Sequence, residues 1–459
     1  MTLDFSDSIA GVATAPGQAG VAIIRISGPE AIQIGNQLFR PAHGKLLSEQ
    51  GARRLIYGWV TEGEKDLDEA LACYMPGPHS FTAEDVVEIQ AHGGIYLSGR
   101  ILELCLKQGA RMARPGEFTQ RAFINGRIDL TRAEAIGEIT KAKTGLALEI
   151  GINQLKGRLY ESIQGLKEKI VWAHSLINAG IDFPEEDVVF THEKQIRTAL
   201  QDVSAQLIGM LEGARGSMMI RNGFKAALTG RPNVGKSSLL NGLLNEDRAI
   251  VTDLPGTTRD LIEESIDLGG IPLVLSDTAG IRDTKDKIEQ IGITKSLRAV
   301  KEADLILWVV DATDPDLTLL EEEAKIKGEK PVFLLVNKCD LAAQPPLLEP
   351  PIPITMRIDL AAINHDQILK LKETLGRYMR EQVSGSLEET SLTNLRQTQA
   401  AEAALKAVEA AAQALGEGMG EELLSVDLAN ALNHLGEIVG ETTPDDILNG
   451  IFSNFCIGK

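Results

Sequence analysis

Gly230-Arg231-Pro232-Asn233-Val234-Gly235-Lys236-Ser237-Ser238 decides the fold of this chain. It fits the phosphate-loop pattern, a glycine and four variable residues followed by Gly-Lys-Ser. The glycines let backbone N–H groups wrap phosphates, Lys236 reaches the outer phosphates, and the Ser237 hydroxyl faces a metal. The flanks agree with that reading. Phe224-Lys225-Ala226-Ala227-Leu228-Thr229 reads as a buried strand entering the loop, and Ser238-Leu239-Leu240-Asn241 opens an apolar helix leaving it. Strand, loop and helix together predict a doubly wound α/β nucleotide-binding domain.

Two more motifs follow in order. Asp277-Thr278-Ala279-Gly280 leaves the strand-like run 271–276; Asp277 is expected to hold magnesium directly or through water. Gly280 brings a backbone N–H within reach of a γ-phosphate. Asn337-Lys338-Cys339-Asp340 closes the apolar run 331–336. The Asp340 carboxylate accepts two N–H donors from guanine, a pair that adenine lacks, so the nucleotide is expected to be GTP or GDP. Cys339 reads as a small apolar loop residue. Upstream, Thr252-Asp253-Leu254-Pro255-Gly256-Thr257-Thr258 has the flexible glycine and paired hydroxyls of a switch loop that caps magnesium when γ-phosphate is present.

Two departures matter for chemistry. Small GTPases often place a water-orienting Gln after the Asp-x-x-Gly glycine; here that place is Ile281. Arg282, Asp283, Asp286 and Glu289 follow, and one carboxylate can serve if the loop folds back. No arginine finger is identifiable, so another cation must neutralise charge developing on the phosphates. Ile358-Asp359-Leu360-Ala361 stands where GTPases often read Ser-Ala-Lys. A backbone amide there can still reach the guanine oxygen, but the usual side-chain packing is lost, and modest affinity is expected.

The chain of 459 residues is long enough for about three domains. A net charge of −19 argues against a broad basic face, and 4% aromatic residues supply no stacking platform for single-stranded nucleic acid. Any RNA contact must be local or supplied by a partner. Cys73, Cys105, Cys339 and Cys456 are far apart with no Cys-x-x-Cys pair, which argues against a zinc ribbon or disulfide scaffold and for a reducing compartment. The acidic start Met1-Thr2-Leu3-Asp4 lacks a signal-peptide pattern, and apolar runs such as 305–310 are strand-sized. A cytoplasmic protein without membrane contact is expected.

Three textures set the domains. Short β-rich runs (20–27, 54–60, 85–90) broken by Pro and Gly predict an α+β domain over 1–121. Helical periodicity follows over 122–219, with Leu155, Leu159, Ile163, Leu166 and Ile170 as one stripe of one helix, and an acidic loop at 182–187. It returns over 383–459, dense from Leu392 to His434. Between the two pieces, 220–382 alternates strands and helices, so the nucleotide-binding domain is read as an insertion into a helical one.

Read with both ends of the chain, these residues resemble the MnmE (TrmE) family of tRNA-modification GTPases, within the wider TrmE–Era–EngA–YihA–septin group. The resemblance also rests on Arg114-Pro115-Gly116-Glu117-Phe118-Thr119-Gln120-Arg121-Ala122-Phe123 and on the terminal Phe455-Cys456-Ile457-Gly458-Lys459. It implies a folate-binding N-terminal domain, GTPase domains that dimerise across the active site, and a homodimer that joins an FAD-dependent MnmG-like protein in a heterotetramer. Potassium in the role of an arginine finger would be held by Asn233, Thr252, Leu254 and Thr257. Magnesium would be held by Ser237 and Thr258, and Glu289 would orient the attacking water. A formyl-tetrahydrofolate would meet Arg25, Glu88, Arg127 and Lys459. Of these, Arg25 or Arg127 suits the folate carboxylates, and Glu88 suits a pterin amidine. Cys456 reads equally as a residue near one-carbon chemistry and as a buried tail anchor. The expected function is GTP-driven modification of the wobble uridine of certain tRNAs at C5, adding a carboxymethylaminomethyl-type group. A ribosome-assembly GTPase switch is the alternative; such proteins typically carry a basic RNA-binding domain, and none is visible here.

Overall fold

The computed structural model describes residues 6–183, 188–244, 264–277, 299–317, 330–383, 390–455 and 458. The first sheet joins β1 (Ile9–Val12), β2 (Ala22–Ser27), β3 (Phe39–Pro41), β4 (Ile56–Glu62), β5 (Lys65–Met75), β6 (Val86–Ala91) and β7 (Arg111–Met112). Their order is β3-β4-β5-β6-β2-β1-β7, antiparallel except where β1 meets β7. Side chains alternate between faces along a strand. Ile24, Ile26, Val87 and Ile89 are buried in one core with Ile34 and Leu38 of α1 (Ala31–Leu38) and Ile101 and Leu104 of α2 (Ile95–Lys107). That alternation turns Arg25 and Glu88, cross-strand partners on β2 and β6, to the other face. There Phe81 packs beside Ile9, Ala113 and Phe118, the last on α3 (Glu117–Ile124).

The helical body follows: α4 (Leu130–Lys141), α5 (Gly145–Leu155), α6 (Arg158–Asp182) and α7 (Val188–Asn222). Its core is completed from beyond residue 390, where Ala404, Val408, Leu428 and Leu435 join Leu159, Ile163, Leu166, Ile170, Leu200 and Leu207. The single stripe expected from Leu155 to Ile170 is two helices. Leu155 ends α5 and is 38% exposed, whereas the other four lie on α6 and are fully buried. The break is Gly157 at φ +91°, where a Cβ would collide with the Arg132 guanidinium. Spacing alone does not reveal that collision.

Between α7 and the second helical piece lies a six-stranded sheet: β8 (Phe224–Thr229), β9 (Glu264–Asp267), β10 (Pro272–Asp277), β11 (Leu305–Asp311), β12 (Val332–Asn337) and β13 (Met356–Asp359). Its order is β13-β12-β11-β8-β10-β9, parallel except for the antiparallel β9–β10 pair. Strand β12 and residues 305–310 of β11 are buried throughout, as the unbroken apolar runs of a sheet covered on both faces require. Helices α8 (Lys236–Leu244) and α9 (His365–Val383) pack on it. The chain returns through α10 (Leu395–Glu417), α11 (Glu421–Val439) and α12 (Asp445–Ser453). Gly418, at φ +66°, caps α10 and splits the helical stretch expected from Leu392 to His434. The result is an N-terminal α+β domain, a helical domain in two sequence pieces and an inserted doubly wound P-loop domain. Among the described residues no helix is long and apolar enough to cross a membrane.

The insertion is fastened where its two ends meet. Arg221, at the end of α7, donates to the Thr393 carbonyl at 2.8 Å and pairs with Glu138 of α4. Arg396 grips both oxygens of Glu134, at 3.0 and 2.8 Å, and Gln397 donates to the same carboxylate at 2.7 Å. Gln154 of α5 donates to Thr393 Oγ1 at 3.0 Å. Helix α4 thus holds both crossings, while Lys141 at its end reaches the Asn454 carbonyl at 3.1 Å.

Candidate functional site

Strand β8 delivers the chain into the phosphate loop and α8 takes it away, as the motif predicts. Gly230 at φ +138° presses on the Val309 carbonyl, and Gly235 at φ +99° presses on the Asn337 side chain. A Cβ at either position would collide, which is the physical reason for glycine. Lys236 is buried, and its ammonium donates to the carbonyls of Gly230 at 2.6 Å and Arg231 at 2.8 Å. Ser237 and Ser238 are exposed in the first turn of α8. Val234 is buried, and exposed Asn233 takes a left-handed φ of +65°. A cation, a helix start and tightly turned backbone make a cradle that suits polyphosphate.

The base-reading motif is bolted to this cradle. Asn337, only 2% exposed at the end of β12, donates to the Val234 carbonyl at 2.8 Å and accepts from Ala362 N–H at 2.8 Å. Lys338 donates to the Asn233 carbonyl at 2.8 Å and to Asp311 at 2.5 Å. Burial pushes the Asp311 carboxyl up, but the bonds from Lys338 and Thr313 outweigh it and hold it below the usual range. Sequence reasoning did not single out Asp311; its signal is a carboxylate ending an apolar strand. Cys339 is half-buried and burial pushes its thiol up. Asp340 is exposed beside it.

The loop that meets Asn337 lies slightly beyond the stretch 358–361. Ile358 and Asp359 still belong to β13, Leu360 and Ala361 are buried, and Ala362 makes the contact. Strand β10 runs parallel to β8 and ends with Asp277 opposite Leu228, at the same sheet edge as the phosphate loop. The side chain of Asp277 and all of Thr252, Asp253, Leu254, Pro255, Gly256, Thr257, Thr258, Thr278, Ala279, Gly280 and Glu289 lie outside the described residues.

A second cluster forms on the N-terminal sheet. Arg25 Nε pairs with Glu88 Oε1 at 2.8 Å, and Arg25 Nη1 donates to the Gly458 carbonyl at 3.3 Å. The Arg25 guanidinium lies 5.3 Å from the Phe81 ring centre and 5.5 Å from that of Phe118. Arg127 lies 5.1 Å from the same Phe81 ring and donates to the Phe81 carbonyl at 2.8 Å. Arg25, Glu88 and Arg127 therefore gather around Phe81; Cys456 and Lys459 lie outside the described residues. Phe81 was not anticipated; an aromatic residue after the Pro-Gly-Pro-His-Ser turn is its only signal. Cys73 stands opposite Glu88 on β5, its thiol pushed up by burial and by that carboxylate.

The 114–123 motif divides its labour. Phe118 faces the cluster, but Arg121 is fully buried and pairs with Asp7 at 2.5 Å, Glu84 at 3.1 Å and Glu117 at 3.3 Å. Arg111 closes the ring through Asp7 at 2.6 Å and Glu117 at 2.5 Å. This half of the motif is a latch that positions α3.

Two family models match the chain. One, described as "MnmE helical domain", covers residues 130–456, and one described as "GTP-binding protein TrmE N-terminus" covers residues 8–127. The chain is 41% identical over 464 residues to the tRNA modification GTPase MnmE of Clostridioides difficile, with 99% of each chain covered. It is 42% identical over 458 residues to that of Thermoanaerobacter sp., again with 99% of each covered. Among solved structures, the G domain of the T. maritima FeoB iron transporter is similar at 26% identity and a TM-score of 0.24, with 34% of this chain and 98% of that chain covered. With identity near two residues in five from end to end, the chain belongs to the MnmE family of tRNA modification GTPases.

Proposed function

We propose that this protein hydrolyses GTP and uses the cycle to drive modification of the wobble uridine of tRNA. A flavoprotein resembling MnmG would be its partner and a tetrahydrofolate its one-carbon source. The observation that carries this reading is the pairing of two built clusters on one chain. One clasps a phosphate loop to a guanine-type motif through Asn337 and Lys338. The other gathers Arg25, Glu88 and Arg127 around an aromatic ring. A ribosome-docking switch has no use for the second cluster.

Residue roles follow from chemistry. Lys236 would offer its ammonium to the phosphates, exchanging the carbonyl oxygens it now contacts for a fuller charge. Asp340 would accept from the guanine edge. Ser237, Thr258 and, through water, Asp277 would hold magnesium, which neutralises the phosphate oxygens when bound. Asn233, Thr252, Leu254 and Thr257 would hold potassium, and Glu289 would orient the attacking water. The exposed Ser237 at the start of α8 and the exposed lip at Asn233 are compatible with cations beside a phosphate cradle. On the N-terminal domain, Glu88 would receive the pterin edge, with Arg25, Arg127 and Lys459 supplying cations for the folate. Cytoplasmic location and a homodimer belong to the same proposal.

The test is nucleoside analysis of bulk tRNA from a deletion strain complemented with this chain. Restored modified wobble uridine is expected, with Asp340→Asn failing to restore it. Unchanged wobble uridine in the deletion strain would sink the proposal, as would equal uptake of ATP and GTP by the purified protein.

A further inference from the structure

Behind the Phe81 cluster, at the junction of the N-terminal domain and the helical body, lies a cavity of about 270 Å³. Phe123, Arg127, Asp129, Arg132, Tyr160 and Gly440 line it. A single water occupies roughly 30 Å³ of liquid, so the space suits groups the size of side chains rather than one or two waters. Arg127 belongs to both places: it caps Phe81 on one side and lines the cavity on the other.

Arg132 is the second cation. It lies 5.5 Å from the Tyr160 ring centre, and the absence of a Cβ at Gly157 makes room for it. Its acidic neighbour is only partly engaged with it. Asp129 spends Oδ1 capping α4, accepting from Thr131 N–H at 2.9 Å and Arg132 N–H at 3.2 Å. Asp129 Oδ2 and Arg132 Nε approach to 3.3 Å, and neither makes a well-directed hydrogen bond. Glu441 also lines the cavity and is engaged by Lys167 and Gln164. With Asp129 paired to Arg132 and Glu441 paired to Lys167, the cavity keeps one net positive charge, that of Arg127, next to an aromatic platform, and Arg132 can turn from Asp129 toward an incoming carboxylate.

Glu88, Arg25, Phe81, Arg127 and Arg132 form a path from an amidine-reading carboxylate, past a ring, to two guanidinium groups. A polyglutamylated folate has the same order: pterin, aromatic linker, then a γ-linked chain that adds one carboxylate per residue. We propose that the cavity receives this γ-glutamyl chain, Arg127 taking its first carboxylate and Arg132 those beyond. The inference rests on the folate reading above and deepens it, because it names the polyglutamate form as the ligand. Tyr160 and Gly440 belong to the helical body, so the chain would also tie the ligand to that body.

The test compares binding of monoglutamyl and triglutamyl 5-formyltetrahydrofolate to the full-length protein by calorimetry. The triglutamyl form should bind about tenfold tighter, the low end for a hydrogen bond to a charged group. The ratio should fall toward one in Arg132→Gln and recover in part in Arg132→Lys. It should also shrink with added salt in the unaltered protein, a measurement that needs no variant to fold. Equal affinity for both ligands, or a salt-independent ratio, overturns the subsite and leaves the folate site standing. Failure to bind either ligand overturns both.

Discussion

Asn337 Nδ2 donates to the carbonyl of Val234 at 2.8 Å, joining two motifs that stand 103 residues apart in sequence. The same side chain accepts from Ala362, so one buried amide holds the phosphate loop, the end of β12 and the loop after β13. Losing it leaves a carbonyl and an amide N–H without a partner in a tight site. Asn337→Ala is expected to weaken GTP binding by about 10- to 100-fold, from roughly 1.5–3 kcal/mol of lost bonding. A fluorescent GTP titration measures this. Unaltered affinity would mean the clasp is incidental to nucleotide binding.

The latch around Arg121 makes a prediction about acid. Burial pushes the carboxyls of Asp7 and Glu117 up, but bonds from Arg111 outweigh it, joined by Arg121 at Asp7 and the Arg114 N–H at Glu117, and both sit below the usual range. The folded protein therefore binds fewer protons at these sites than the unfolded chain. Their contribution is complete above the ordinary carboxyl range near pH 4–4.5 and is lost as pH falls through the depressed folded values. Arg121→Met leaves Glu117 buried and less well paired, at a cost of roughly 3–5 kcal/mol. Melting curves of both proteins between neutral pH and about pH 3 would show a gap that narrows on acidification. A gap that stays constant rules the linkage out.

How much of this was legible in the sequence varied with the range of the interaction. The P-loop and the strands around it follow from local pattern, since a continuous apolar run such as 305–310 has few other uses in a doubly wound fold. Folding of 114–123 around Arg121 was not legible, because its partners Asp7 and Glu84 come from distant positions with unremarkable neighbours. Gly157 shows the same limit: its reason is a left-handed φ of +91° at the start of α6, a backbone angle that apolar spacing does not reveal. Within the candidate site, Arg25 and Glu88 were named singly, but their pairing depends on the β2–β6 register. Phe81 and Asp311 escaped notice because each is one ordinary residue whose meaning comes from what faces it.

Arg396 fastens the helical body just after the chain returns to it from the inserted domain. It grips Glu134 and donates to the Ile438 carbonyl at 3.1 Å and to that of Glu437, tying α4, α10 and α11 together at the crossing. Arg396→Ala leaves Glu134 in a buried setting with less compensation and is expected to cost about 3–5 kcal/mol of stability. Among the described residues no Arg396 contact reaches the phosphate loop, so GTP affinity should stay within about threefold while tRNA modification falls much further. Equal losses in both assays would show a general folding defect instead.

Cys105 reports on the first core. Burial pushes its thiol up to about 12, and it is fully enclosed among Ile101, Leu104 and the sheet. Iodoacetamide at mildly alkaline pH should therefore modify Cys105 only through opening of this domain, with a rate that rises steeply in urea. Mass spectrometry of the alkylated peptides would follow it. Rapid labelling under native conditions would show that the α1–α2 layer opens locally.

Potassium dependence tests the hydrolytic end of the proposal. Ile281 stands where a water-orienting Gln is often found, and no arginine finger is recognisable, so the phosphates need another source of positive charge. Asn233 is exposed at the lip of the phosphate loop, its backbone held at φ +65° and its carbonyl engaged by Lys338. The exposed Asn233 side-chain amide oxygen is a ligand suited to a monovalent ion. A cation held beside developing negative charge lowers the barrier without altering ground-state binding to the same degree. GTP turnover is expected to be at least about tenfold faster in potassium than in sodium, the low end of the effect of one well-placed charge. Asn233→Ala should reduce that ratio while magnesium–GTP binding persists, measured by phosphate release and nucleotide titration in the two salts. Equal turnover in both would remove potassium from the mechanism and leave the guanine-nucleotide site as described.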